Sequence, residues 1–420
     1  MKAIPTPLIA CAVCCAIHIP ITEVQALPLY SFQGAPSDGA LPSAVLINNS
    51  GTLYGTTSSG GAHGYFGYGT MFSLNLNNNT ETMLYSFCSQ LNCTDGSDPE
   101  GSVTEVGQKL YGTTYWGGTN SFGTVFSFKL PNGPETVLYS FCGQSNCADG
   151  EHPRAGVISF HNMLYGTTQF GGGSADCCGT LFSVNPMTGA ETVLHTFQGA
   201  PADGAYPWAG VIVGVGAIVS GYHRGADYML FGTTAGGGAH QNGGTVFSFD
   251  LETNAYSTLY SFCGVSNCGD GGSPTGVIIV GSRLYGATSY GGTNNLGTVF
   301  SFKLPHGPET VLYSFCSQSN CADGKQPYEY ASLIDVNGTL YGTTNYGGAS
   351  NKGAVYSLNL NGNIETVLHS FGGGMDGANP FSAVLDVGGT LYGTTWQAGT
   401  GAAKCIAAGA TGCGTVFSWP

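Results

Sequence analysis

Four short strings recur along the chain, and each alternates apolar and polar positions with the period of two that marks a strand. LYGTT, or a near copy, begins at Leu53, Leu110, Leu164, Leu230, Leu284, Leu340 and Leu391. G-T-[VLM]-F-S, with one Ala/Tyr variant, begins at Gly69, Gly123, Gly179, Gly244, Gly297, Gly353 and Gly414. L-[YH]-[ST]-F begins at Leu29, Leu84, Leu138, Leu194, Leu259, Leu312 and Leu368, and D-G-x-x-P at Asp38, Asp95, Asp149, Asp203, Asp270, Asp323 and Asp376. A further short run, such as Ala44-Val45-Leu46-Ile47 or Gly156-Val157-Ile158, lies between D-G-x-x-P and LYGTT. Their Val, Thr, Tyr and Phe content suits a pleated, half-buried surface. The strings therefore predict four strands per repeat: A (the short Val/Ile run), B (LYGTT), C (GTVFS) and D (LYSF). Asn132-Gly133, Asn337-Gly338 and Asn361-Gly362 mark tight hairpin turns.

Successive LYGTT strings are 51 to 66 residues apart. Four antiparallel strands at that period make a propeller blade, whereas solenoids repeat at shorter intervals with fewer strands. The phase of the ends predicts closure. The chain enters the repeats on a D strand, Leu29 to Phe32, and leaves on a C strand, Gly414 to Ser418. The first strand completes the last blade, and closing the ring removes two exposed sheet edges. The expected fold is all-β: a seven-bladed β-propeller over residues 27–420, after a leader over residues 1–26.

The combination LYGTT…GG…GTVFSL…ETVLYSF resembles the GloVer tandem repeat of bacterial exported proteins, named for Gloeobacter and Verrucomicrobia, through essentially the whole chain after the leader. The resemblance implies delivery outside the cell. It implies no activity and no catalytic residues.

Composition sharpens this picture. Gly supplies 69 residues, yet aromatics reach 12%, which a disordered chain lacks, so the glycines punctuate strands. Net charge is −14, with ten Lys and Arg in all. So few cations cannot assemble a basic patch, which argues against nucleic acid and anionic membrane as partners. Lys2, the apolar run from Leu8 to Ile19 and the small-residue site Val24-Gln25-Ala26 read as a secretory signal peptide with a mature start near Leu27. Leu8-Ile9-Ala10-Cys11 also resembles a lipobox, which would make Cys11 a lipidated N-terminus, although few apolar residues precede it. No other segment approaches a membrane span. The expected location is extracellular or periplasmic.

Cysteine usage fits export. Cys11, Cys14 and Cys15 leave with the signal. Four pairs share one spacing: Cys88/Cys93, Cys142/Cys147, Cys263/Cys268 and Cys316/Cys321. Each is expected to close a local disulfide, as are Cys405 and Cys413. The adjacent Cys177 and Cys178 either bond to each other or stay as free thiols. Because the pairs recur in separate repeats, convergence on a metal is not expected, nor is any cofactor.

In a meander blade the B–C and D–A connections share one face, so function is sought there. Trp116, Phe170, Tyr290 and Tyr346 sit in Gly-rich B–C loops, each five residues after the aromatic of its LYGTT-type strand, and Trp396 stands one residue earlier in the last repeat. Such rings stack on sugars or else fold down to cap the blade ends. The seven Asp of D-G-x-x-P read as turn residues accepting backbone N–H groups rather than as a cation ring. His195 and His369 replace Tyr in strand D and read as packing variants; His63 and His240 have no partner nearby in sequence. The D–A loops vary in charge through Asp98, Glu100, Glu151, His152, Arg154, Lys325 and Glu329, read here as solvated loop charges. H-E-x-x-H, G-x-S-x-G and Walker signatures are missing. The expectation is a secreted, non-catalytic binding or surface-interaction module for a glycan or cell-surface ligand. The alternative is a polysaccharide hydrolase or lyase with its site in the axial funnel, which would need convergent carboxylates there.

Overall fold

The computed structural model describes residues 25–173, 177–215, 228–305, 307–328, 332–401, 405 and 411–420. Residues 1–24 of the expected leader, the Cys11 alternative, the Gly216 to Asp227 insertion and Glu329 lie outside the described residues.

Seven four-stranded antiparallel sheets form the seven blades. Blade 1 is Ile47–Asn49, Thr52–Thr57, Thr70–Asn75 and Thr80–Ser86, and its pattern repeats around the ring. Strand A begins later than expected: the Ala44-Val45 run lines the axis, and pairing starts at Ile47. Blade 7 takes Leu385–Val387, Thr390–Thr395 and Thr415–Trp419 from the C-terminal end and Leu27–Ser31 from the other. Leu27 pairs with Ser418 and Ser31 with Thr415, so the ring is closed by its two terminal strands.

Each string is explained by what it packs against. The Phe of L-[YH]-[ST]-F crosses the seam to meet, edge to face, the aromatic of G-T-V-F-S in the next blade. Phe32–Phe72, Phe87–Phe126, Phe141–Phe182, Phe197–Phe247, Phe262–Phe300, Phe315–Tyr356 and Phe371–Phe417 have centroids 5.0 to 5.3 Å apart. Such contacts add about 0.5–1.5 kcal/mol each beyond area burial. The Gly of LYGTT makes room for that ring: a Cβ on Gly166 would stand 2.7 Å from the Phe182 ring. The second Thr of LYGTT is buried, and in six blades it bonds the Thr of G-T-V-F-S in the adjacent strand, as in Thr114–Thr124 at 2.8 Å; in blade 6 that place is Ala354.

Asp of D-G-x-x-P pins each D–A crossover. Asp95 accepts the Tyr85 hydroxyl at 2.7 Å and the backbone N–H groups of Ser89 and Gln90. His195 and His369 take the place of that Tyr and bind Asp203 and Asp376 through Nε2, each at 2.9 Å. The Asp residues are thus turn residues, with a strand-D partner that their loop spacing did not reveal.

Candidate binding face

The D–A crossovers present side chains from an unusual backbone. The fourth residue of every D-G-x-x-P string is non-glycine with positive φ: Leu41, Asp98, His152, Tyr206, Ser273, Gln326 and Asn379, at 50° to 58°. This left-handed conformation costs about 1–2 kcal/mol per residue for an L-amino acid. Backbone bonds on both sides impose it. Asp98 N–H donates to the Tyr68 carbonyl of the preceding blade, and its own carbonyl accepts from Tyr115 N–H. His152 does the same between Phe122 and Gln169, and Asn379 between Lys352 and Trp396. The framework repeats; the side chain it carries differs in every blade.

The residue after the Pro completes the inner ring, and its occupants touch from blade to blade. Arg154 Nε donates to Glu100 Oε2 at 2.8 Å, and the Arg154 guanidinium lies over the Trp208 ring at 5.5 Å and the Tyr115 ring at 5.9 Å. Across the ring Tyr328 stacks on Phe381 at 3.9 Å and 20°, and Phe381 stacks on Trp396 at 4.7 Å and 10°. The face therefore has a charged pole over blades 2 to 4 and an aromatic pole over blades 6 and 7.

At the charged pole, burial first and the Glu100 charge second push Asp98 up to about 8, against the opposing pull of Arg154. Burial lowers His152, whose ring stacks on Tyr115 at 4.6 Å with Nδ1 2.9 Å from the Tyr115 carbonyl. Reading these loop charges as solvated is corrected here: Glu100 and Arg154 are ion-paired with little exposure, and Glu151 and His152 are buried. The axial channel, about 150 Å³, is lined by Ala, Gly, Ser, Thr, Val and Ile residues of the strand-A approaches. Glu100 is the one ionisable side chain lining it among the described residues.

At the aromatic pole, Tyr346, Lys352, Asn379, Phe381, Trp396 and Gln397 line an open cleft of about 230 Å³. Asn379 is held by its Nδ2–H, which donates to the Asn345 carbonyl at 2.9 Å.

The five aromatics picked out in the sequence do not converge. Tyr346 and Trp396 share the cleft. Trp116 is 46% exposed, with its ring edge-on to His152 at 4.2 Å. Phe170 is half-buried between His152 and Tyr206. Tyr290 is half-buried, with its hydroxyl 3.7 Å from Cys263 Sγ. Sequence reading passed over Tyr65, Phe66 and Tyr68, exposed at 70, 44 and 42% on the B–C loop of blade 1, and over Trp208, Tyr328 and Phe381. Three aromatics within four residues of a Gly-rich loop was the available signal for the first group. The place directly after each Pro was the signal for the second.

Cys88 bonds Cys93, Cys142 bonds Cys147, Cys263 bonds Cys268, Cys316 bonds Cys321 and Cys405 bonds Cys413; Cys177 and Cys178 are joined to each other. The Cys142 and Cys147 sulfurs lie near the Glu151 carboxylate, but a disulfide leaves them no thiolate for a metal.

The model of the Gloeobacter/Verrucomicrobia repeat matches residues 19–226 and 215–407. The chain belongs to the Gloeobacter/Verrucomicrobia repeat family. No curated protein matches this repeat protein. Among solved structures it is similar to an oligogalacturonate lyase from Vibrio parahaemolyticus, at 11% identity and TM-score 0.52, covering 95% of this chain and 94% of the other. It is also similar to TolB from Acinetobacter baumannii, at 8% identity and TM-score 0.37, over 89% and 78% of the two chains. At 11% identity the likeness to the lyase speaks to the fold and not to activity. No helix among the described residues is long and apolar enough to cross a membrane.

Proposed function

We propose that this Gloeobacter/Verrucomicrobia repeat protein is an exported, non-catalytic binding module that takes carbohydrate on its D–A/B–C face. The observation that carries the reading is the cleft over blades 6 and 7. There the near-parallel rings of Phe381 and Trp396 adjoin Tyr346, with Asn379, Gln397 and Lys352 as hydrogen-bonding groups beside them. Flat aromatic faces flanked by amides suit a sugar ring, which offers an apolar face and a rim of hydroxyls. The six intramolecular disulfides agree with an oxidising compartment.

A glycan array probed with the oxidised protein tests this. The expected result is binding to a defined glycan class that Trp396→Ala or Tyr346→Ala removes, while a variant on the opposite face, Met187→Ala, keeps it. Absence of glycan binding, or binding indifferent to both cleft variants, overturns the reading.

A polysaccharide hydrolase or lyase is favoured by one feature, the Asp98 carboxyl beside Glu100, which burial first and the Glu100 charge second push up to about 8. Against it, Glu100 is neutralised by Arg154 and the rest of the channel lining is small and uncharged. A glycoside hydrolase needs, besides its general acid, a second carboxylate to act as base or nucleophile. Chain cleavage of a bound polysaccharide that Asp98→Asn abolishes would establish the enzyme.

A further inference from the structure

Every seam between blades repeats one polar arrangement away from the binding face's inner ring. The Tyr or His of L-[YH]-[ST]-F in one blade meets the residue three places before the Leu of that string in the next. Around the ring the pairs are Tyr30 with Glu81, Tyr85 with Glu135, Tyr139 with Glu191 and His195 with Tyr256. Tyr260 with Glu309, Tyr313 with Glu365 and His369 with Ala26 complete it. Where the first member is Tyr, the second is Glu, in five seams. Where it is His, the Glu is gone, in two.

The five glutamates are placed where a charge is strongly disfavoured. One carboxyl oxygen each of Glu81, Glu191, Glu309 and Glu365 is shut off from solvent without a hydrogen-bond partner. Both oxygens of Glu135 are, and that residue is 9% exposed. The groups facing each are the Tyr above and the crossover Asp of the same seam: Asp38, Asp95, Asp149, Asp270 and Asp323 in turn, with Tyr356 also beside Glu365. Among the described residues no Lys, Arg or His acts on them. The Asp is already committed as an acceptor of the Tyr hydroxyl and of backbone N–H groups, as Asp149 is from Tyr139, Gly143 and Gln144. A second carboxylate beside it has no counter-charge among the described residues, and the Tyr hydroxyl reaches it as a donor only at Glu81 and Glu365.

A carboxylic acid resolves the conflict. Its O–H can donate to the phenol oxygen, the phenol O–H donates to Asp, and the Asp oxygens accept from backbone donors. A His has no such use for an acid. His369 Nε2 serves Asp376, and the residue at the glutamate's place in that seam is Ala26, the last of the expected leader. His195 is covered by the stacked ring of Tyr256 at 3.6 Å.

We infer that the five seam glutamates are uncharged carboxylic acids in the folded ring, so that the propeller takes up protons as it closes and is strengthened by mild acid. Burial first, then the neighbouring Asp, push Glu135 and Glu309 up to about 8 and Glu81, Glu191 and Glu365 up to about 7, from an ordinary 4.5. A folded value above the unfolded one means that this stabilisation is complete below the unfolded value and is lost as pH rises through the folded value. A divalent cation is the competing occupant. The Asp lone pairs are already taken by donors, which leaves too few oxygens for the roughly six to eight that Ca²⁺ takes.

Thermal unfolding in EDTA from about pH 5 to about pH 9 tests this for the parent, for Glu135→Gln and for the variant with all five Glu→Gln. The parent Tm should fall as pH rises through neutrality, and the fivefold variant should lose most of that slope and melt higher than the parent at the alkaline end. Unfolding the parent near about pH 6 should release about five protons more than unfolding the fivefold variant, by proton linkage. If that variant does not fold, Glu135→Gln alone should remove about one proton, and His195→Tyr with Tyr256→Glu should add about one. An unchanged slope in the Gln variants overturns the inference. So does a Ca²⁺-dependent rise in the parent Tm at alkaline pH that the Gln variants lack.

Discussion

Replacing Phe32 by Ala probes ring closure at a single ring. Phe32 is fully buried directly after the terminal strand, 5.2 Å from the Tyr30 ring and 5.0 Å from the Phe72 ring of blade 1. Its side chain also packs against the cluster containing Cys405, Cys413 and Val416 of blade 7. An internal equivalent exists for comparison. Phe141 is likewise fully buried, 5.2 Å from Tyr139 and 5.0 Å from Phe182. A buried Phe→Ala change costs about 3–5 kcal/mol through lost transfer energy and the cavity left behind. If the terminal strand is as much a part of the ring as an internal one, Phe32→Ala and Phe141→Ala should lose the same stability to within about 1 kcal/mol, given the context dependence of cavity costs. Urea unfolding followed by near-ultraviolet circular dichroism measures both, provided the denaturant slope m is unchanged. A loss below about 1 kcal/mol for Phe32→Ala beside a full loss for Phe141→Ala would refute the reasoning, because surface positions behave that way.

Further outcomes follow from the same packing. Gly166→Ala should destabilise by about 1–3 kcal/mol, since its Cβ would overlap the Phe182 ring, as urea melts can show. Tyr290→Ala should lower the melting temperature more than Tyr346→Ala, because Tyr290 packs on the Cys263–Cys268 loop whereas Tyr346 opens on the cleft. Asp98→Asn should flatten part of the loss of stability as pH rises toward about 8, because the folded state prefers the protonated acid; pH-dependent melts check it. Non-reducing peptide mapping should recover each C-x4-C pair as one loop-local link and a bonded Cys177–Cys178, without links between loops.

Much of the fold was legible because each string has one structural duty repeated in every blade. The Gly of LYGTT, the Phe of G-T-V-F-S and the Asp of D-G-x-x-P recur since each seam needs the same hole, ring and anchor. Closure was readable from the phase of Leu29 to Phe32 against Gly414 to Ser418. The candidate site was less legible, because it is built from positions that differ in every repeat and meet only across blades. Arg154 finds Glu100 and Trp208, and Phe381 finds Tyr328 and Trp396, through ring geometry that spacing along the chain does not encode. Treating Glu100 and Arg154 as solvated failed for that reason. The five seam glutamates recur in the sequence as E-T-[VM]-L-[YH], but each meets the Tyr of a neighbouring repeat, so neither the pairing nor the burial was legible.

The claim that the cleft over blades 6 and 7 takes a sugar is tested most directly by tryptophan emission. Four tryptophans are present, and Trp116, Trp208 and Trp396 lie on the binding face. Titrating an array-selected oligosaccharide should change the emission of the parent and of Trp116→Phe. Trp396→Phe, which keeps a stacking ring, should still bind the sugar by calorimetry while its emission stays flat. An emission change that survives in Trp396→Phe, or that vanishes in Trp116→Phe, would contradict the account.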